Sequence, residues 1–144
     1  MMHMSPATGW DIRFAVKALS EQNHAEREVV GLSVDDTVKH FVALLERGPS
    51  ETTMHEGQPA AVFGIIEGDD FNDTWFLATR AAFAAGVKGL RYSRARVQYF
   101  RERYGKPLRS ISYSPLVDAP KWFKVLGFVE APARVDGAKV FIYR

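Results

Sequence analysis

The run Ala60–Glu67 carries Val62, Phe63, Ile65 and Ile66. Apolar side chains on successive positions of so short a run mark a well-buried strand. Such a strand needs layers packed over its sheet, and this constrains the whole chain to a layered α/β arrangement. The preceding Thr52–Glu56 and the turn residues Gly57-Gln58-Pro59 make it the second arm of a hairpin. Gly68-Asp69-Asp70 then turns the chain into a further strand, Trp75–Thr79.

Helices flank this block. Ser33, with Asp36 three residues on, resembles a capping box ahead of an apolar stripe of Val38, Phe41, Val42, Leu44 and Leu45. Gly48-Pro49 stops that helix. A long helix is predicted from about Lys88 to Tyr104, with Leu90, Val97, Phe100 and Tyr104 inward, and Gly105-Lys106-Pro107 ends it. Leu108–Ser114 alternates as a strand. Asp118 and Pro120 open a short helix, Ala119–Leu126, which Gly127 closes. Strands follow over Phe128–Glu130 and Ala138–Tyr143. At the other end, Met1–Trp10 reads as a loose start. Ile12, Phe14 and Val16 predict a strand over Asp11–Lys17, and Ala18–Val30 predicts a helical excursion. The expected fold class is α/β (α+β), a mixed and mostly antiparallel sheet in one domain over residues 1–144.

A chain of 144 residues suits a single core. The absence of cysteine excludes disulfides, thiolate catalysis and thiolate metal sites. No apolar run is long enough to span a bilayer, and Met1–Trp10 lacks the apolar region of a signal peptide. These features fit the cytosol.

The remaining chemistry is sparse. His24/Glu28 and Asp36/His40 are i,i+4 pairs of the kind found on helix surfaces, so no metal site is assigned. Ser110, Ser112 and Ser114 lack a nucleophile elbow, and there is no phosphate-binding Gly-rich motif. The Lys88–Arg103 segment carries Lys88, Arg91, Arg94, Arg96, Arg101 and Arg103 against the single acid Glu102. It reads as a solvated outer face, with nucleic-acid phosphates as the alternative ligand.

The element order, and the closing run Lys121-Trp122-Phe123-Lys124-Val125-Leu126-Gly127-Phe128, resemble the acetyl-CoA-dependent N-acetyltransferase superfamily, GNAT. A narrower resemblance rests on Trp75-Phe76-Leu77-Ala78-Thr79, the basic helix through Arg94, Arg101 and Tyr104, and Trp122–Phe128. This resembles the small internal-core or assembly protein of short-tailed bacteriophages, itself GNAT-like. The resemblance implies a sheet splayed near its middle with helices on both faces.

It also implies roles. In GNAT enzymes the strand matching Trp75–Thr79, with Leu77 and Thr79, pairs with the pantetheine arm of acetyl-CoA. The following glycine loop holds the pyrophosphate. Here that stretch is Arg80–Gly89. It has Gly86 and Gly89 without the family spacing, so it reads as a flexible, alanine-rich connection. Arg80, Lys88 and Arg91 remain the candidate phosphate ligands. Many members carry a tyrosine four residues before the closing glycine, where it protonates the leaving thiolate. That position is Phe123, which has no proton to give. Tyr113 and Tyr92 are the substitutes, although Tyr113 also reads as an ordinary strand residue. Glu67, beside Asp69 and Asp70, is the candidate base, although a solvated turn explains the same residues. These departures favour a virion or assembly protein without catalysis, in the host cytoplasm or the particle, binding other virion proteins through Arg94, Arg101 or Trp122. The alternative is an acetyl-CoA-dependent N-acyltransferase.

Overall fold

The computed structural model of the chain describes residues 2–116 and 118–144, leaving aside the side chains of Glu21 and Gln22. In chain order it forms β1 (Met2–Pro6), α1 (Gly9–Lys17), α2 (Glu21–Val30), α3 (Val34–Leu45), β2 (Ser50–His55), β3 (Gln58–Ile66) and β4 (Asn72–Ala78). Then come α4 (Arg80–Ala84), α5 (Gly86–Tyr104), β5 (Leu108–Ser112), α6 (Ala119–Leu126), β6 (Val129–Glu130) and β7 (Lys139–Tyr143). The strands make a seven-stranded sheet in the order β1-β2-β3-β4-β5-β7-β6. Every neighbouring pair is antiparallel except β4 and β5.

The sheet is covered on both faces, as the apolar run in β3 requires. Val62, Trp75 and Leu77 pack with Ile12, Ala15 and Val16 of α1 and Leu44 of α3. Their strand neighbours Phe63 and Ile65 point the other way, into a cluster with Val97 and Phe100 of α5 and Phe123 and Leu126 of α6. Period-two alternation thus sorts one pair of strands into two cores.

Three expectations need correction. Asp11–Lys17 belongs to a helix. The Asp11 amide donates to Thr8 Oγ1 at 3.2 Å and the Thr8 amide donates to Asp11 Oδ2 at 3.0 Å, a closed capping box. Ile12, Ala15 and Val16 are buried at helical spacing, so the period-two pattern of Ile12, Phe14 and Val16 was coincidental. Replacing Thr8 by alanine is expected to cost about 1 kcal/mol, a fall in Tm of roughly 2–4 °C. An unchanged thermal transition would remove the box as the cause of the helix. Secondly, the N-terminal stretch is not loose: β1 pairs along β2 from Met2 opposite His55 to Pro6 opposite Glu51. Met1 itself lies outside the described residues. Thirdly, the hairpin turn is Glu56-Gly57, both at positive φ (52° and 79°) as a two-residue primed turn demands. Gln58 and Pro59 already belong to β3, and the register slips once opposite Thr53/Met54.

The parallel junction positions the site. β4 and β5 pair only at Asn72 with Leu108 and Asp73 with Arg109. Beyond those two rungs the strands part.

Candidate functional site

A cavity of about 420 Å³ opens where β4 and β5 diverge. Thr74–Ala78 of β4 form one wall, and Ser110, Ile111 and Tyr113 form the other. Asn23, Glu26 and Arg27 of α2 cross above it, His40 and Phe41 of α3 lie beside it, and Trp122 and Phe123 of α6 close it below.

Where β5 has left it, the β4 edge that faces the gap must find other partners for its backbone groups. The chain supplies some itself. The Asn23 side chain donates from Nδ2 to the Phe76 carbonyl at 3.3 Å, and its Oδ1 accepts from the Ala78 amide at 3.0 Å. The Ser20 amide donates to the Ala78 carbonyl at 2.8 Å, and the Arg80 amide to the Ala18 carbonyl at 3.2 Å. Leu19 forms an antiparallel bridge with Thr79. Across the gap, Glu26 Oε2 accepts from the Tyr113 amide at 3.0 Å, just past the end of β5. Asn23 and Glu26 are three apart and share a face of α2.

A wide pocket adjoins this cavity at Leu19, Arg27, Phe83 and Trp122, and this mouth is lined by Lys17, His24, Arg27 and Arg80, with Asp118 as the one acid. His24 is paired with Glu28 at 3.0 Å and Asp118 with Lys121 at 3.2 Å. Among the described residues neither Lys17 nor Arg80 has an ion-pair partner. This end of the gap is therefore positive and suited to anionic groups.

No family model matches the sequence, and no curated protein is similar to it in sequence. The architecture does have counterparts among solved structures. PaiA N-acetyltransferase from Thermoplasma acidophilum, solved with coenzyme A, superposes with a TM-score of 0.74 at 6% identity, covering 100% of this chain and 99% of that one. The aminoglycoside acetyltransferase AAC(6′)-Ib, solved with ribostamycin and coenzyme A, gives a TM-score of 0.69 at 15% identity, covering 98% and 91%. A GNAT-family acetyltransferase from Bacillus anthracis gives 0.65 at 8% identity, covering 99% and 92%.

The chain has the GNAT acetyltransferase fold.

At these identities the likeness fixes the fold, and function has to be argued from the site. These three neighbours are acetyltransferases, and none of them supports the short-tailed phage protein as a nearer relative. Within the GNAT frame the β4 edge is where a pantetheine arm is expected. The edge fits such an arm chemically, because Asn23 already presents a carboxamide to Phe76 and Ala78. The same contact fills the position.

The other predicted residues divide between the cleft and elsewhere. Leu77 lies in the wall of the cleft, with its side chain in the α1/α3 core. Thr79 is spent on structure, since its amide and its hydroxyl both donate to the Ala60 carbonyl at 2.9 Å. Arg80 is exposed at the positive mouth. The Arg80–Gly89 stretch is not a flexible connection. Alanine is the strongest helix former, and the stretch folds as α4 followed directly by α5. Gly86 opens α5 at φ 65°, and a Cβ on Gly89 would stand 2.8 Å from that of Ala85. Both glycines line a second cavity of about 320 Å³ on the opposite face, between α5 and α6.

Lys88, Arg91 and Arg94 are exposed on α5 and line none of these cavities. Arg101 is half-buried. Arg96 turns inward, contrary to a fully solvated basic face. Its Nε and Nη2 reach the Glu51 carboxylate at 2.7 and 2.6 Å, and those bonds hold its guanidinium above the ordinary arginine value. Glu67 is exposed just past the end of β3 and lines none of these three cavities. Tyr113 does line the cleft. Phe123 is buried, its ring stacked on Phe141 with centroids 4.4 Å apart. Trp122 packs edge-on against Phe76 at 5.2 Å and is a wall of all three cavities. Among the described residues there is no metal-binding cluster, and no helix is long and apolar enough to cross a membrane.

Proposed function

We propose that this protein is an acyl-coenzyme A-dependent N-acyltransferase. The observation that carries the reading is the parting of β4 and β5 after two rungs into a cavity of about 420 Å³, with a positive mouth at one end. Bound coenzyme A thioester would supply the acyl group and leave as the thiol. In this reading Phe76 and Ala78 hold the amide-bearing arm, while Lys17, Arg80 and Arg27 at the mouth neutralise its phosphates. The amine enters from the α2/α3 side, where Glu26 and His40 are the lining groups able to accept its proton. Tyr113 is the lining phenol able to return a proton to the sulfur, a task closed to Phe123. Glu67 has no part in this arrangement.

Calorimetric titration with acetyl-CoA should show saturable binding that weakens as salt is raised, because the mouth acts through charge. Absence of binding at millimolar cofactor, in the chain and in its Asn23→Ala variant alike, would instead favour a second reading. In that reading the chain is a binding protein, of the virion-assembly type, that keeps the GNAT shape without its chemistry. Phe123 in the aromatic core is the observation on its side.

A further inference from the structure

Helix α2 is an unusual element of this fold. Among its described residues none is fully buried, and its sequence is polar almost throughout. Apolar packing therefore does little to hold it. Its firm contacts with the splay are polar and are placed on both arms: Asn23 on the β4 edge and Glu26 on the backbone beyond β5. The Asn23 amide is also held in position from below. Ser20, the N-cap of α2 and 2% exposed, donates its hydroxyl to Asn23 Oδ1 at 3.2 Å, and accepts from the Asn23 backbone N–H at 3.3 Å.

We infer that Asn23 is an internal stand-in for an amide-bearing ligand, and that α2 is a latch which must release the β4 edge before such a ligand can enter the cleft. The inference rests on the acyltransferase reading for the identity of that ligand, a pantetheine arm. A carboxamide that donates to one backbone carbonyl and accepts from an amide two residues along does what a neighbouring strand, or an amide in an extended chain, would do. The two occupants are mutually exclusive, since the Ala78 amide has one proton to donate and Asn23 Oδ1 already accepts it. Neither state leaves the edge bare, so exchange between them avoids the cost of an unpaired buried amide. An element with little buried apolar surface is also the one expected to open at low cost.

The test uses the full chain, its Asn23→Ala variant, and pantetheine and acetyl-CoA as probes. Two readouts are needed: calorimetric affinity and hydrogen exchange at the Ala78 amide, followed by NMR. With two neutral hydrogen bonds removed from the competing state, Asn23→Ala is expected to bind pantetheine about tenfold more tightly than the wild type. In the free variant the Ala78 amide should exchange about tenfold faster, and pantetheine should slow it again. Binding that is no tighter in the variant, or that leaves Ala78 exchange unchanged, overturns the latch while the acyltransferase reading stands. Binding by the variant alone supports both. Binding of neither probe to either protein overturns both. Should Asn23→Ala fail to fold, Asn23→Asp retains the acceptor for Ala78 and sets a carboxylate oxygen against the Phe76 carbonyl. It is expected to loosen the latch in the same direction.

Discussion

Phe123→Ala should remove about 3–5 kcal/mol of folding stability, the loss expected for truncating a buried aromatic residue. The ring is 3% exposed and packs among aromatic neighbours. It stacks on Phe141 and meets Phe128 and Phe76 edge-on, with centroids 5.7 and 6.4 Å away. These neighbours come from β7, from the residue after the Gly127 cap, and from β4. They belong to elements already hydrogen-bonded elsewhere, so the void cannot collapse. Denaturant unfolding should show a lower midpoint with an unchanged slope. A loss below about 1 kcal/mol would mean that the position is plastic. The same burial explains the missing hydroxyl, because this residue is a keystone of the α5/α6 face.

The second large effect concerns Glu51. It is 5% exposed on β2 and holds Arg96 through two short bonds. Glu51→Ala strands a largely buried guanidinium, and the expected loss is about 3 kcal/mol. The Asp73–Arg109 pair has the same closest distance, 2.6 Å, but its side chains are a third exposed. Asp73→Ala should therefore cost about 1 kcal/mol or less. Measuring both by chemical denaturation separates burial from bond length. Equal losses would show that exposure does not decide the strength of these pairs. Replacing Glu51 and Arg96 together by apolar residues should recover much of the loss, since no charge is then left unpaired.

Much of the frame was legible in the sequence because it depends on local signals. Ser33, Gly105 and Gly127 cap helices where expected. The apolar run of β3 announced a sheet covered on both faces. The α1 segment misled because Ile12, Phe14 and Val16 satisfy period two while Ala15, the residue that completes a helical face, is small. The Thr8/Asp11 capping box was the signal that could have corrected it. Arg96 was hidden among five other cations of its segment, since nothing local marks which one meets a carboxylate 45 residues away. Asn23 was harder still. Its partners are backbone atoms more than fifty residues along the chain, and backbone atoms carry no sequence. Glu67 and Tyr113 were both reasonable by position in the chain, and only the parting of β4 and β5 separates the one that lines the cleft from the one that does not.

The two-rung junction between β4 and β5 has a mechanical consequence. On the α5/α6 side the aromatic cluster bridges it, joining Phe63 and Ile65 of β3 to Leu108 and Phe141 beyond the gap. On the α1/α3 side the buried cluster stops at Trp75 and Leu77 and never reaches β5. The sheet is thus packed across the gap along its back and joined along its front only by the polar contacts of α2, like a book bound at the spine and held by a clasp. A widening of the gap that keeps this packing intact is hinged on that spine of phenylalanines and opens the face that α2 spans.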